Sequence, residues 1–503
     1  ADTLRRYAQY NETSFSQFLL ADAARLGIPR AALPIDAKGL TLDLGRNTSA
    51  RPSFSMGGVL HTAPAAKGHG SIVSVLFSNT LLVHGDQAPA TLQADQIALS
   101  AQQLNRLGAS SLRIGNSGRR VYGQGGNQLL FGQSRGSSIV VQSGAHLQAG
   151  EVLLATGYRD GGIVVEQGAR IDTLGRGAPA YDSQDGYLYN PQDNSLLIVS
   201  NGWVDVLAPV DTSSPTTGPG SILIGGCLTQ CSGQAELYSK GTIAAATTNR
   251  FNLDDQVRFG TRNLTLAVGA INVGSAASLA SAAAAGRLPT GLSLNQQVLD
   301  RLLRGDTQRG APALETLTLT VRDSFNFFGT TTLDTLDPVT GKSRLSNLVL
   351  GTPAIYGQGA AGDVATIRTG NLIWSGATQA APTVLAGGAG TGSGRLTVEA
   401  ERIEAIAAAD ICKAGRSDTD PVIACSAAHH IACADFGETV VPSLACEKIG
   451  AGSASLANRS RNFGSGIATK DHIALPGIRG AADIRERRSD DQIIEPVAVK
   501  IAG

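Results

Sequence analysis

Residues 139–147 read Ile-Val-Val-Gln-Ser-Gly-Ala-His-Leu, and residues 163–171 repeat the pattern as Ile-Val-Val-Glu-Gln-Gly-Ala-Arg-Ile. The two copies share the isoleucine, both valines, the glycine and the alanine. A second apolar run, Val-Leu-Leu-Ala at residues 152–155, lies between them. The interval of about 24 residues falls within the range of about 20–50 residues that is typical of stacked repeat architectures. The stretch therefore predicts a ladder of similar rungs, each made of short strands and a Gly-Ala corner.

Strand-like runs broken by Gly, Asn, Asp and Ser continue from about residue 39 to residue 404. The runs at positions 195–198 and 221–224 also echo each other, at a similar interval of about 26 residues. We predict an all-β fold, a parallel β-solenoid. Tandem β-sandwiches are the alternative for so many short strands, but they would not be expected to give a repeat of nearly identical rungs. Four runs share one alternation of apolar and polar residues, which turns one face of a strand inward; they begin at Leu92, Leu264, Leu317 and Leu396.

We predict that residues 1–38 form an N-terminal helical segment that caps the first rung. Ser14 and Gln17 fit a capping box at the start of a helix. Covering the first rung would protect strand edges that otherwise invite pairing. The apolar residues expected on one helical face are Phe15, Phe18, Leu19, Ala23 and Leu26.

Two excursions are expected to interrupt the ladder of residues 39–404. One is a polar inserted loop, residues 181–194, and the other is a helical excursion, residues 275–305. Beyond residue 404 the pattern stops, so residues 405–503 are predicted to be an irregular, cysteine-containing C-terminal region of unknown role. Within the second excursion we predict a helix from Leu294 to Arg304, capped by Ser293 with Gln296 and lined by Leu294, Val298 and Leu302.

The charge balance and the short apolar runs argue against a nucleic-acid-binding protein and against a membrane-spanning one. Forty-one Lys and Arg residues balance forty-one Asp and Glu residues, so the chain carries no net charge. A nucleic-acid-binding protein needs a basic face, and this balance argues against one. No apolar run approaches the length of roughly 18 residues that a membrane-spanning helix requires, so we predict no transmembrane segment.

Several segments resemble the large exoproteins of the filamentous haemagglutinin family, bacterial surface proteins exported by two-partner secretion. The best matches are residues 150–155, residues 162–172, and a long segment from Leu288 through residues 394–400. The resemblance covers about residues 30–404 and contains no catalytic motif. It implies a right-handed parallel β-helix, a secreted or cell-surface location, and an adhesive role. It also implies that the chain is a central or C-terminal portion of a much longer precursor.

The resemblance also implies partners. These are receptors or glycans on host or bacterial surfaces, and an outer-membrane two-partner transporter during export. The chain departs from the family because we expect it to lack the family's N-terminal secretion domain: its only Asn-Pro dipeptide is Asn190-Pro191, and there is no Asn-Pro-Asn-Gly turn. Residues 405–503 match nothing in the family.

We therefore predict a non-catalytic adhesin, a haemagglutinin-like structural rod with no cofactor and no catalytic residues. One alternative is an extracellular filament or matrix component, because open ladder edges allow rods to associate end to end. A second alternative is a carbohydrate-active β-helix enzyme, a polysaccharide lyase or hydrolase. Such enzymes need paired carboxylates, and no Asp/Glu pair recurs at the rung spacing, although stacking can align residues about 24 positions apart.

The six cysteines are disulfide candidates, because an even count is typical of an exported protein. Cys227 and Cys231 are expected to pair with each other, and the other four among themselves in one of three ways. The rival hypothesis is zinc, since Cys425, His429, His430 and Cys433 lie close together in the sequence, but structural zinc sites usually show closer pairs. The remaining disulfide candidates are Cys412, Cys425, Cys433 and Cys446.

Two further patterns have a functional and a structural interpretation. Arg304-Gly305-Asp306 is an integrin-type tripeptide, but Gly305 also suits the glycine that follows a helix, and Arg304 suits the last turn. The three acids of the polar loop could hold calcium, but their spacing matches no calcium repeat and favours a solvated loop; they are Asp182, Asp185 and Asp193.

Overall fold

The computed structural model describes most of the chain as far as residue 406. The chain divides into two units, Ala1–Ala434 with Pro496–Gly503, and Asp435–Glu495, and every described residue belongs to the first. Several predicted sites therefore lie outside the described residues, namely Cys412, Cys425, Cys433 and Cys446, the zinc alternative with His429 and His430, and Asp182, Asp185 and Asp193. The described residues are 13–26, 30–44, 57–58, 60–121, 128–131, 136–157, 162–181, 187–191, 195–207, 221–228, 230–247, 250–376, 395–406 and 497–498.

The described residues form four helices and 29 strands. The helices are α1 (Phe15–Leu26), α2 (Ala101–Arg106), α3 (Ala276–Ala284) and α4 (Gln296–Leu302). The strands up to the first excursion are β1 (Leu40–Asp43), β2 (Ile72–Leu76), β3 (Asn79–His84), β4 (Gln96–Ser100), β5 (Ser111–Ile114), β6 (Arg119–Val121), β7 (Gln128–Phe131), β8 (Gly136–Val141), β9 (His146–Gln148), β10 (Glu151–Thr156), β11 (Gly162–Glu166) and β12 (Arg170–Asp172). Those that follow are β13 (Tyr187–Pro191), β14 (Ser195–Ser200), β15 (Val204–Val206), β16 (Ser221–Gly226), β17 (Glu236–Tyr238), β18 (Thr242–Thr247), β19 (Phe251–Leu253), β20 (Arg258–Gly260), β21 (Asn263–Gly274), β22 (Gly291–Leu294), β23 (Thr316–Phe328), β24 (Thr331–Asp334), β25 (Asn347–Thr352), β26 (Ile355–Gly357), β27 (Val364–Gly376), β28 (Arg395–Ile406) and β29 (Val497–Ala498).

The strands make four sheets in which parallel pairs predominate. Sheet 1 has fifteen strands, in the order β24-β27-β25-β23-β21-β18-β14-β10-β5-β2-β1-β29, with β22, β26 and β28 joined to β21, β23 and β27. Sheet 2 has the order β19-β16-β11-β8-β3-β4, sheet 3 the order β20-β17-β12-β9, and sheet 4 the order β15-β13-β7-β6. The protein is therefore rich in strands, with few helices, as the sequence predicts.

The repeat of residues 139–147 at residues 163–171 is confirmed as an in-register stack. From β8 to β12 the chain visits sheets 2, 3, 1, 2 and 3 in turn. Ile163 pairs with Ile139 in sheet 2, and Ile171 pairs with Leu147 in sheet 3, both in parallel. All four side chains are fully buried. The repeated apolar residues thus stack on their own copies, one strand further along each sheet.

The glycine shared by the two copies has a backbone reason. Gly144 and Gly168 have φ values of +80° and +81°, a left-handed conformation that favours glycine. A Cβ atom at Gly168 would also clash with the carbonyl oxygen of Ser232. The Gly-Ala corner is therefore required by the turn between sheets 2 and 3.

In sheet 1, the strand β14 runs antiparallel to its neighbours. The similar runs at positions 195–198 and 221–224 lie in different sheets. β14 lies between β10 and β18 in sheet 1 and is antiparallel to both. β16 instead pairs with β11 in sheet 2. The two similar runs therefore do not stack on each other. The shared serine and aliphatic residues reflect strand propensity and burial, which both positions require.

Sheet 1 is buried on both faces around β14. Its inward residues join one large core with those of sheets 2 and 3, whereas Leu153, Leu196 and Ile198 belong to a second apolar cluster, completed by Tyr181, Val204 and others. Burying such a side chain contributes about 1.5–3 kcal/mol. Strands covered on both sides read as continuous apolar runs, which explains Val152–Ala155 and Leu196–Val199.

The second excursion differs in detail from its prediction. α4 begins at Gln296 and not at Leu294, and its N-cap is Asn295, whose side chain accepts a hydrogen bond from the backbone N–H of Val298. Leu294 ends β22, where it pairs with Val273 of β21. The predicted Ser293 cap is therefore wrong, because pairing with sheet 1 keeps residues 291–294 extended. The preceding Ala-rich stretch forms α3.

The N-terminal capping box is confirmed. The Ser14 hydroxyl oxygen accepts a hydrogen bond from the Gln17 N–H, and the Gln17 side chain accepts one from the Ser14 N–H, both at 3.2 Å. The apolar face predicted for this helix is mostly not buried: Ala23 is buried, whereas Phe15 and Phe18 are 59% and 55% exposed.

Candidate binding surface

Sheet 3 carries a stack of polar side chains on its outer face. Its strands are three residues long, and the central residue of each is buried in the core. The two flanking residues lie on the opposite face, where Asp172 and Tyr238 are themselves covered by neighbouring groups. Because the register is preserved, like positions form two columns about 4.8 Å apart from strand to strand. The columns, which we call the polar ladder, are His146, Arg170, Glu236 and Arg258, and Gln148, Asp172 and Tyr238.

Arginines bind the acids of the polar ladder. Arg170 forms an ion pair with Asp172 on its own strand, and its Nε atom lies 3.5 Å from a carboxylate oxygen of Glu236 on the next strand. Arg309, from the segment after α4, binds the other Glu236 oxygen at 2.8 Å. The guanidinium groups of Arg170 and Arg309 also lie 5.9 and 5.6 Å from the centre of the Tyr238 ring. These contacts join neighbouring rungs to the segment after α4.

His146 lies at one end of this network as a weak partner. Its Nε2 atom is 4.0 Å from a carboxylate oxygen of Asp172. Burial and the nearby Arg170 lower the pKa of His146, and the Asp172 carboxylate only partly opposes this. These surroundings therefore favour the neutral form of the imidazole.

Asp306 ties the helical excursion to the polar ladder. Its carboxylate accepts hydrogen bonds from the Tyr238 hydroxyl at 2.6 Å and from Arg258 Nε at 2.8 Å. Burial acts to raise the pKa of Asp306, but the hydrogen bonds from Tyr238, the Gln308 backbone and Arg258 together lower it. Burial and the same bond to Asp306 raise the pKa of the Tyr238 phenol. The pair is thus an ionised carboxylate and a protonated phenol.

The Arg-Gly-Asp tripeptide is built into this junction. Asp306 is the residue just described, and Arg304 donates a hydrogen bond to the carbonyl oxygen of Asp255 at 3.0 Å. Gly305 has a φ of +39° and lies two positions beyond the helix C-cap at Leu303. Receptor binding stays a prediction, and the contacts give the tripeptide a structural role.

A polar cleft opens beside this junction, with a volume of about 440 Å³. It lies between the corner that precedes β20, the corner that precedes β17, and the segment after α4. Its floor includes the buried Val257 and Phe259, and its walls are exposed or half-buried polar side chains. The polar residues are Gln234, Asp255, Gln256, Arg258, Arg304, Asp306 and Gln308.

A buried carboxylate holds the corner between β8 and β9 to the corner between β16 and β17. Glu166 is fully buried, and its two oxygens accept hydrogen bonds from the backbone N–H groups of Ser143 and Leu228, each at 3.0 Å. A disulfide joins Cys227 and Cys231 around Leu228, the pairing that the sequence suggests. Leu228 itself is 59% exposed. The carboxylate and the disulfide together fix the enlarged corner between β16 and β17.

The part of the chain that the structure describes holds neither a metal cluster nor a membrane-spanning helix. There, no group of three or more His, Cys, Asp or Glu side chains is placed to hold a metal ion. No described helix is both long and apolar enough to cross a membrane.

Sequence reasoning missed the polar ladder and the buried Glu166. Aligning the two repeat copies places Arg170 on His146 and Asp172 on Gln148, so part of the ladder could have been found. Glu236 and Arg258 could not, because the reversed β14 and its connections break the period. Glu166 is visible only as a charged residue at the end of a buried run. Comparisons with family models, with curated proteins and with solved structures find no match to this chain.

Proposed function

We propose that this chain is the β-helical part of a secreted bacterial surface exoprotein that acts as a non-catalytic adhesin. The observation that carries the proposal is the parallel, in-register pairing of Ile139 with Ile163, which stacks successive rungs so that their outward positions form continuous columns. A binding surface built this way grows by repetition. Many weak contacts along it combine by multivalency, with no need for one deep site.

The path of the chain through sheets 2, 3 and 1 supports a parallel β-helix, and the right hand comes from the family resemblance. An extracellular location and export through an outer-membrane transporter follow from the same resemblance. The disulfide between Cys227 and Cys231 supports an oxidising environment. We propose surface receptors or glycans as the partners.

The polar ladder supports binding over catalysis. Glycosidases use two carboxyl groups, one of which must be free to donate a proton. Here Asp172 and Asp306 are bound by arginines, and Glu236 is bound by two of them. Such pairing suits a rigid face more than a proton-transfer site.

The test is to apply the purified full chain to epithelial and bacterial cells and to measure bound protein against concentration, with heat-denatured chain as the control. We expect saturable binding that immobilised clusters of the chain strengthen. In parallel, pectin-like and host polysaccharides are incubated with the chain. Absence of saturable binding would contradict the proposal, and release of reducing ends or unsaturated sugars would replace it with the carbohydrate-active alternative.

A further inference from the structure

The strand β28 ends sheet 1 with an open edge in the part of the chain that the structure describes. It pairs with β27 from Arg395 opposite Val364 to Ile406 opposite Ser375, and no other described strand pairs with it. It is 12 residues long and contains no proline. A long edge strand of this kind presents a row of backbone N–H and C=O groups to which another strand can pair. Sheet 1 can therefore accept a further strand at β28.

The apolar side chains of β28 are only partly covered. On β27, Ile367 is 2% exposed and Leu372 is fully buried. Their pairing partners on β28, Val398 and Ile403, are only partly buried against the same core. A strand added at this edge would remove the remaining apolar surface from water, which is favourable. The partly buried apolar residues of β28 are Leu396, Val398, Ala400 and Ile403.

A column of alternating charges ends at the same edge. Arg368 of β27 lies in register between Asp334 of β24 and Glu399 of β28. It forms ion pairs with both, at 3.0 Å with Asp334 and at 2.9 Å with Glu399. Opposite charges on neighbouring strands stabilise a sheet, and like charges destabilise it. The strand that best continues this column therefore places a basic residue opposite Glu399.

The corner of this rung gives β28 a symmetric shape. The buried apolar positions of β27 change from odd to even numbers between Ile367 and Leu372, so the rung turns a corner there. β28 pairs in register with β27 on both sides of that corner. The corner therefore falls at the centre of β28, between Ala400 and Glu401. A two-fold axis through this point lays each arm of the strand, antiparallel, on the other arm of a second copy.

In that arrangement β28 is complementary to its own copy. Val398 lies opposite Ile403 of the second copy on the core side, and Glu399 lies opposite Arg402 of the second copy on the outer side. Both contacts occur twice, because the axis repeats them. Arg402 is 70% exposed and contacts Glu404 of its own chain at 3.1 Å, so it can reach a further acid. The two copies of Glu401 flank the axis with like charge, but at exposed positions where solvent and salt weaken the repulsion.

We infer that the β28 end of the ladder binds a second copy of this chain, edge to edge and antiparallel across a two-fold axis. Such a contact uses the same surface on both copies and closes on itself, so it gives dimers and not filaments. The inference stands apart from the proposed function. If both hold, the dimer presents two polar ladders to a repeated target, which strengthens binding by multivalency.

The experiment measures the oligomeric state of the full chain by analytical ultracentrifugation over a range of concentrations. The test variants are Glu399→Arg and Arg402→Glu, studied singly and as an equal mixture. Each variant alone places like charges opposite each other twice, whereas a mixed dimer restores both contacts between opposite charges. The control is Glu315→Arg, which reverses a half-exposed acid that precedes β23. Circular dichroism checks that every variant keeps its strands.

We expect the wild-type chain and the control to dimerise equally well. Dimerisation should weaken roughly tenfold in each single variant and recover in the mixture. Mixing cannot repair a variant that is merely misfolded, so recovery identifies the two-fold contact. A wild-type chain that stays monomeric, or that forms filaments, would overturn the inference. Unchanged dimerisation in the single variants, or no recovery in the mixture, would overturn it as well.

Hydrogen exchange of the β28 amides identifies the strand that covers the edge. We expect their protection to rise with concentration as the dimer forms. Equally strong protection in the monomer would show that another segment of the same chain pairs with β28, and the inference would then be wrong.

Discussion

The hydroxyl group of Tyr238 donates a 2.6 Å hydrogen bond to the carboxylate of Asp306, 68 residues further along the chain. Tyr238 belongs to β17 of sheet 3 and Asp306 to the segment after α4, so this bond helps to fasten the helical excursion to sheet 3. Arg258, from the neighbouring strand of sheet 3, binds the same carboxylate oxygen. The junction therefore depends on a charge-assisted network of three side chains.

Tyr238→Phe should loosen this junction. Because a hydrogen bond to a charged group contributes about 1.5–3 kcal/mol, we expect local stability to fall by that amount and the pKa of Asp306 to rise. The measurement is hydrogen exchange of the Asp306 amide, whose N–H is bonded to Phe259. A double-mutant cycle with Asp306→Asn isolates the pair. If Tyr238→Phe lowers the stability equally in the wild-type chain and in the Asp306→Asn variant, the two residues are not coupled.

Glu166→Gln should weaken the corner that carries the disulfide. The native carboxylate accepts two backbone N–H groups, whereas an amide places a donor against one of them. We expect a loss of about 2–3 kcal/mol, measured by thermal unfolding and by faster hydrogen exchange at Ser143 and Leu228. Glu315→Gln is the control, since its ion pair with Arg262 is half-exposed on both sides and worth at most about 1 kcal/mol. If both variants lose equally little, Glu166 does not hold the corner.

The stacking register can be tested by cross-linking. Val164 pairs with Val140 on one side and with Leu223 on the other, all in sheet 2. Val140→Cys with Val164→Cys should form a disulfide on mild oxidation, because adjacent strands bring Cα atoms within reach of one. Val140→Cys with Leu223→Cys should not, since two strand spacings separate them. Mass spectrometry of proteolytic fragments reads the linkage; efficient linkage of the second pair would contradict the parallel stack.

The contacts of Asp36, which precedes β1, predict that the fold loses stability in acid. Its carboxylate binds Arg30 through both oxygens and accepts the backbone N–H groups of Leu33 and His69. Burial alone would raise its pKa, but these partners lower it from 3.8 to about 2. Such a shift corresponds to about 2 kcal/mol.

A depressed carboxyl pKa stabilises the fold above the unfolded-state value and stops doing so as the pH falls through the folded-state value. Asp36→Asn should therefore be less stable than wild type by about 2 kcal/mol at pH 5–7, and the difference should shrink between about pH 4 and pH 2. Urea unfolding at a series of pH values measures it. Asp22→Asn, which removes an exposed pair with Arg25, should show little change at any pH. A difference for Asp36 that is independent of pH would refute the assignment.

Much of the local structure could be predicted from the residues. The apolar residues shared by residues 139–147 and 163–171 stack in register, because a period-2 strand buries the same positions in each copy. The capping box of Ser14 and Gln17 and the pairing of Cys227 with Cys231 are also local in origin. In each case the partners are near in sequence or repeated at a constant interval.

The candidate site could be predicted only in fragments. Arg304-Gly305-Asp306 stands out in the sequence as a tripeptide, but its chemistry depends on Tyr238 and Arg258, which come from other rungs. The cleft glutamines lie in three separate segments and share no motif. Neither set has a fixed spacing, because the connections around β14 and the helical excursion change the interval between rungs.

The sequence by itself determined the strand-rich class, the repeating rung and the glycine corner, since backbone sterics and the alternation of buried side chains are encoded locally. Only the tertiary structure decided that β14 runs antiparallel, that Glu166 is buried as a link between corners, and that Asp306 closes onto Tyr238. Strand direction, burial of a charge and ion pairing across rungs depend on which surfaces meet. The residues on both contacting surfaces decide these features, so no single segment of the sequence specifies them.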